Sequence, residues 1–316
     1  MIDSSAIAWA DRSDRDRLVL SGPDRVKFLN NLCTNDVKRL KPGDGCEAFV
    51  TSPQGKLLAW ISIHDCGDHL LLRADPEGLS LASPHFAKYG VFDNVEFDNV
   101  RDETFEIHFT GIGTDAVLEH SLRHEITPDS RDLATAAHNG PLRDIILIRE
   151  SPLGLTGMTV IGPAARREEF LTGVIAHMPV GSRPLSLDEV EGLRIEAGTP
   201  RFGADATTDH LPQEIARDTK AISFVKGCYL GQETVARLDA LGHVNKILRR
   251  VVVSEGPPPA IGTTLRVGDL PVGTITSSGR SPINDRVCAL AVIKVKPAPP
   301  GTHLTWDGGQ GSVALL

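Results

Sequence analysis

From about residue 245 onward the chain reads as short β-rich runs punctuated by Gly/Pro turns, and this constrains the fold more than any other feature. ILRRVVV, TTLRV, PVGTITS, RVCALAVIKV, HLTW and SVALL follow one another with no helix-period segment between them. Turn spacing of this kind predicts a small antiparallel barrel or sandwich. Gly256-Pro257-Pro258-Pro259 reads as a loop inside that module, and the boundary before it is expected near residues 240–247.

Upstream the texture is mixed. RLVL (17–20) reads as a strand, and Ser21-Gly22-Pro23-Asp24 opens a helix with Val26, Leu29 and Leu32 on its apolar face. Residues 46–72 are strand-rich, with a hairpin signal at Gly67-Asp68. A helix is expected over 80–90, strands over 95–98, 104–109 and 145–149, and a weakly patterned polar stretch over 128–144. MTVIGP (158–163) predicts another strand and Arg166 to Ala176 another helix. The clearest local signature is LSLDEV (185–190). Ser186 and Glu189 form a capping box, Leu185 and Val190 stand at staple positions, and Gly198 ends the helix. The whole is an α+β chain, divided into residues 1–244 and a β-barrel over 245–316.

A chain of 316 residues with 41% hydrophobic content can build a sizeable core. Its net charge of −8 argues against a broad phosphate-neutralising face, so no nucleic-acid partner is expected. No run approaches the roughly 18 apolar residues of a membrane helix, so no membrane partner is expected either. Met1 to Arg17 carries four aspartates and no apolar stretch, unlike a secretory or transit leader. The five cysteines (33, 46, 66, 228, 288) are scattered and never form C-x-x-C, which fits reduced thiols in a cytoplasmic protein.

Chemistry concentrates in KGCYLGQE (226–233). Cys228 follows Lys226 and Gly227 and precedes an expected helix from Gln232 to Leu238. A neighbouring cation and a helix N-terminus both favour thiolate, and Gly227 and Gly231 permit sharp turns that present the sulfur outward. On the local sequence alone, a lone cysteine is more often a small buried hydrophobe.

The octapeptide resembles the signature of the YgfZ-type folate-binding proteins, within the glycine-cleavage T-protein superfamily. Other stretches are similar in the same order: GPDRVKFLNNLCTNDV (22–37), the Pro53-Gln54-Gly55-Lys56 turn, and GLRIEAGTPRFGADATTDHLPQE (192–214). The resemblance implies a T-protein-like fold of two interleaved α/β subdomains, one ferredoxin-like, with a C-terminal antiparallel β-barrel. It implies a central channel for tetrahydrofolate or a one-carbon-substituted folate. It also implies a part in assembly or repair of iron–sulfur enzymes, with client proteins or assembly factors as partners and Cys228 and Lys226 as the reactive pair.

Glu196 lies in the last turn of the capped helix, where a negative charge opposes the helix dipole. Given the resemblance, it is expected to accept hydrogen bonds from a pterin; without it, a surface carboxylate paired with Arg194 or Arg201 is the plainer reading. Arg194, Glu214, Tyr229 and Gln232 join the candidate folate contacts by motif position. Asn35, Asp36 and Gln54 stand equally as channel residues or as turn formers.

His64-Asp65-Cys66-Gly67-Asp68-His69 mixes ligand types, but its spacing crosses a hairpin and no second cluster completes four donors, so no metal is expected. Glycine-cleavage T-proteins carry a G-G-x-x-D-D stretch whose aspartate positions fall here on Ala59 and Trp60, neither able to act as a base. Folate-dependent aminomethyl transfer or demethylation is therefore the first alternative. A folate-stabilised adaptor without catalysis is the second, and a cluster scaffold the third.

Overall fold

The structure is a computed structural model and describes residues 6–122, 132–138 and 145–316. Much of the weakly patterned 128–144 stretch thus lies outside the described residues.

Three sheets organise the chain. The first is five-stranded, in the order β3 (Gly45–Thr51), β4 (Leu57–Asp65), β5 (Leu70–Ala74), β2 (Asp16–Ser21) and β6 (Glu96–Asn99). The second runs β11 (Arg183–Pro184), β1 (Ala8–Asp11), β7 (Thr104–Thr110), β10 (Gly157–Pro163), β9 (Ile145–Glu150) and β8 (Thr135–His138). The chain gives β1 to the second sheet, completes the first, and returns in β7, so the two units are interleaved. The third sheet closes into a six-stranded antiparallel barrel from β12 (Lys246–Glu255), β15 (Val287–Lys294), β14 (Leu270–Arg280), β13 (Thr264–Val267), β16 (His303–Trp306) and β17 (Gly309–Ala314). Seven helices complete the described fold: α1 (Arg25–Leu32), α2 (Pro76–Tyr89), α3 (Thr114–Leu122), α4 (Arg167–Ile175), α5 (Leu187–Ala197), the short α6 (Asp218–Ala221) and α7 (Gln232–Leu241). Among the described residues, no helix is long and apolar enough to cross a membrane.

Strand alternation decides what each face does. On β4, Leu57, Ala59 and Ile61 are buried, while Leu58, Trp60 and Ser62 are half-buried. Ala59 lies against α2 so closely that a Cβ on Gly78 would sit 3.3 Å from its own Cβ. Trp60 and Ser62 therefore turn the other way. On β5, Leu70, Leu72 and Ala74 join the core under α1 and α2, whereas Leu71 packs with Ile148 and Ile161 of the second sheet. Arg73, on the same side as Leu71, is fully buried between the sheets.

Helix α5 carries the expected capping box: Glu189 N donates to Ser186 Oγ at 3.3 Å and Ser186 N to Glu189 Oε2 at 2.9 Å. Gly198 ends it at φ 72°, a conformation that favours glycine. Ile195 packs into the barrel with Leu248, Cys288 and Leu290, so α5 joins the barrel to the rest of the chain.

Local expectations differ in three places. On α1, Phe28 is buried and Val26 only half-buried. Phe28 meets Phe86 and Phe97 with ring centroids 6.1 and 5.5 Å away, and this aromatic contact sets the helix's rotation. Asp24 gives no side-chain cap to α1 but accepts from Asn94 N at 2.9 Å. Helix α3, whose apolar positions are sparse, went unread, and α2 starts earlier than expected because Pro76 at its first turn is already compatible with a helix.

Candidate functional site

A cavity of about 790 Å³ opens where the two open sheets, α5 and the barrel meet. One wall is Trp60. Its Nε1 donates to Glu47 Oε2 at 3.2 Å, and the Arg217 guanidinium lies 5.2 Å from its ring centroid. Arg217 also grips Glu47 with both ends of its fork, Nε at 2.9 Å from Oε2. Glu47 thus orients the aromatic plate and the cation above it, an arrangement suited to stacking a flat heterocycle.

Arg194 lines the cavity from α5 but is fully partnered. It donates to Glu191, to Thr199 O and Asp205 Oδ2, both at 2.7 Å, and to Ser277 Oγ at 2.8 Å. Burial opposes its charge, yet Glu191 and Asp205 raise its pKa. Its action is to pin α5 to the barrel and hold Glu191 at the cavity wall.

The cavity floor is the charged layer between the sheets. Arg73 holds Glu106 (Nη2 to Oε1 2.6 Å) and Glu150 (Nη2 to Oε1 2.8 Å) at once. Burial alone would raise the Glu106 pKa, but Arg73 and Arg15 bring it down to about 2. His64, with Nδ1 3.1 Å from Thr135 Oγ1, and His108, with Nδ1 3.0 Å from Thr159 Oγ1, are pushed down to about 3 by burial. Both imidazoles are therefore neutral at neutral pH.

The motif residues gather elsewhere, in a junction of α1, the β3–β4 turn and the loop before α7. Lys226 Nζ donates to Asn30 O (2.7 Å), Cys33 O (2.8 Å) and Asn35 O (2.5 Å), so its ammonium caps the carbonyl end of α1. All three of these hydrogen bonds go to main-chain carbonyls of the stretch from Asn30 to Asn35. Burial lowers the Lys226 pKa. Buried Tyr229 places its ring 5.0 Å from the same ammonium. Leu230 N donates to Asn31 O (2.9 Å), Thr51 Oγ1 to Leu230 O (2.6 Å), and Thr234 Oγ1 to the carbonyl of exposed Gln54 (3.0 Å). Gln232 Oε1 accepts from Tyr229 N at 3.2 Å. Gly231 adopts φ +85°, and a Cβ there would sit 2.4 Å from Ser52 O, so only glycine lets the loop dock this tightly.

At the crest of this loop Cys228 is exposed, beside Phe224 and Val225, which are 48% and 76% exposed. The other four cysteines are buried or half-buried, and burial raises each thiol pKa, to about 11 for Cys66 and Cys288.

Asn35 links the two regions. Its Nδ2 donates to the main-chain oxygens of Glu47 (2.7 Å) and Lys220 (2.8 Å), both cavity residues, while its own carbonyl takes Lys226. Asp36 pairs with Arg39 at 3.1 Å. Glu214 accepts from Leu211 N at 3.0 Å and lies 3.8 Å from Lys246. Glu196 accepts from Ser281 Oγ and from Asn284 Nδ2 (2.9 Å), fastening α5 to the β14–β15 loop. Glu196 stands about 140° around the helix from Glu191, at roughly 100° per residue, and is not among the residues that line the cavity. Of the expected site residues, Arg194 alone lines the cavity.

Among the described residues, no group of three or more His, Cys, Asp or Glu side chains is placed to hold a metal. Sequence reasoning missed Glu47, Arg217, Arg12, Arg15 and Glu191. A usable signal was the alternation along β4, which puts Trp60 opposite the core face.

No family model matches the chain. The crystal structure of glycine cleavage system aminomethyltransferase T from Bartonella henselae superposes with a TM-score of 0.86 at 17% identity, covering 98% of this chain and 85% of that one. An aminomethyltransferase of Desulforamulus reducens is 23% identical over 303 residues, 95% of this chain and 82% of its own length. The tRNA-modifying protein YgfZ of Hamiltonella defensa is 28% identical over 251 residues, 78% of this chain and 70% of its own length. Its counterpart in Vibrio vulnificus is 26% identical over 262 residues, 80% and 73% respectively. Interleaved sheets closed by a six-stranded barrel are the fold of the Bartonella henselae aminomethyltransferase, and the similarities together support a YgfZ-type member of the T-protein superfamily.

Proposed function

We propose that this chain binds tetrahydrofolate, or a one-carbon-substituted folate, in the central cavity and supports assembly or repair of iron–sulfur enzymes in the cytoplasm through Cys228. The cavity falls within the roughly 300–1,000 Å³ typical of small-molecule sites. Its wall offers an aromatic plate for a pterin or aminobenzoyl ring. A hydrogen-bonded path from Trp60 and Glu47 through Asn35 to Lys226 joins this wall to the loop that presents the one exposed thiol. That path is the observation that carries the reading. An exposed sulfur is a soft donor able to reach iron or sulfur on a partner, which the four buried or half-buried thiols are less placed to do.

Aminomethyl transfer is disfavoured by β4 itself, where Ala59 is in the core and Trp60 is tied to Glu47. The tRNA modification in the relatives' name, if shared, acts through a partner, since a net charge of −8 suits no broad RNA-binding face.

The test is complementation in a strain lacking this protein, scored by the activity of iron–sulfur enzymes. Cys228→Ala is expected to fail while the purified variant still binds tetrahydrofolate. Full complementation by Cys228→Ser would favour the adaptor reading, and methylene-folate formation from a methylamine donor would restore the aminomethyltransferase one.

A further inference from the structure

Among the described residues, three buried polar atoms on the cavity side have no hydrogen-bond partner: Nη1 of Arg12, Nε of Arg15 and Oγ of Ser62. They converge on one place. Ser62 pairs in register with Arg73 across β4 and β5. Arg15 Nη1 lies 3.7 Å from Glu106 Oε1, and its Nε lies 3.6 Å from Asp75 Oδ1. Arg12 feels burial first and then the repulsion of Arg15, which together push its pKa down to about 10. Leaving guanidinium donors buried without a hydrogen bond is costly, and two neighbouring arginines here do so.

Glu106 and Glu150 are already taken by Arg73, and Asp75 reaches Arg15 only at 3.6 Å. What the layer leaves unanswered is donor capacity, in the planar fork geometry that matches a carboxylate. A phosphate dianion would add two charges beside three carboxylates already in place, whereas a carboxylate adds one.

We infer that Arg12, Arg15 and Ser62 form a subsite for one carboxylate group at the cavity floor. This deepens the folate reading and rests on it. Two sources share the chemistry: the glutamyl tail of the folate itself, or a free small carboxylic acid that enters beside the pterin.

Calorimetric titration of the full chain with tetrahydrofolate, with tetrahydropteroate (which lacks the glutamate) and with free glutamate separates the cases. If the tail is the occupant, tetrahydrofolate binds wild type at least about tenfold tighter than tetrahydropteroate, the effect of one charge-assisted pair. Arg15→Gln and Arg12→Gln then erase that difference without weakening tetrahydropteroate. If a free acid is the occupant, the two pterins bind alike and glutamate binds the tetrahydropteroate-loaded protein, but not the Arg15→Gln variant. Ser62→Ala, which leaves every charge in place, is expected to weaken the same carboxylate-dependent signal about threefold, the loss of one neutral donor. Unchanged titrations of all three ligands in the three variants would overturn the subsite. Failure of wild type to bind either pterin would instead sink the folate reading, while glutamate alone would still report on the subsite.

Discussion

At the Cys228 junction one ammonium, that of Lys226, is held by three main-chain carbonyls, whereas on the cavity floor Arg73 is held by two ionised carboxylates. The junction answers a helix's own unpaired carbonyls and is built from short contiguous stretches around turns and glycines. The floor is a layer of opposed charges, drawn from strands of both sheets, whose centre at Arg73 and Glu106 is fully buried. The first should tolerate changes of pH and break when its backbone geometry is disturbed. The second should be the reverse.

The largest difference is expected on breaking each cation's partnership. Glu106→Gln leaves Arg73 buried with half of its charge compensation and should cost about 3–5 kcal/mol in urea unfolding. A cost below that of Lys226→Met would erase the contrast. Acid comes next. The unfolded chain protonates His64 and His108 near pH 6.5, but the folded chain only near 3, so stability is lost as pH falls below about 6.5. With two extra protons bound by the unfolded state, the slope approaches about 2.7 kcal/mol per pH unit. Below about 4.5, Glu106, which folds with a pKa of about 2, steepens the loss. His108→Gln should flatten the upper part of this profile, measured by unfolding at stepped pH. Lys226→Met should cost roughly 1–3 kcal/mol through unsatisfied carbonyls and leave the pH slope unchanged. Smallest is Glu196→Gln, about 1 kcal/mol or less for a half-exposed link to the β14–β15 loop, with pterin affinity unaltered. A tenfold loss of affinity there would return Glu196 to the ligand.

What could be read in the sequence follows the same division. The junction was legible because its chemistry is contiguous: the octapeptide, the P-Q-G-K turn and the T-N-D loop are each local patterns, and the structure joins them. The barrel showed in turn spacing and α5 in its capping box, both short-range signals. The cavity was not legible, because its residues come from distant stretches and none sits in a pattern of its own. Asp11-Arg12-Ser13-Asp14-Arg15-Asp16-Arg17 holds no apolar residue, yet Arg17 is fully buried, as is Arg73. Only the pairing of two sheets makes such burial tolerable. For Glu196, motif position says which residue is acidic, but the helix period decides which way it points.

Tetrahydrofolate titrated against Trp60→Ala and Cys228→Ala bears most directly on where the ligand sits. Loss of the stacking plate should weaken binding by about tenfold or more, while loss of the sulfur should leave affinity at the wild-type value. Wild-type affinity in Trp60→Ala with binding lost in Cys228→Ala would place the ligand at the junction and contradict the account.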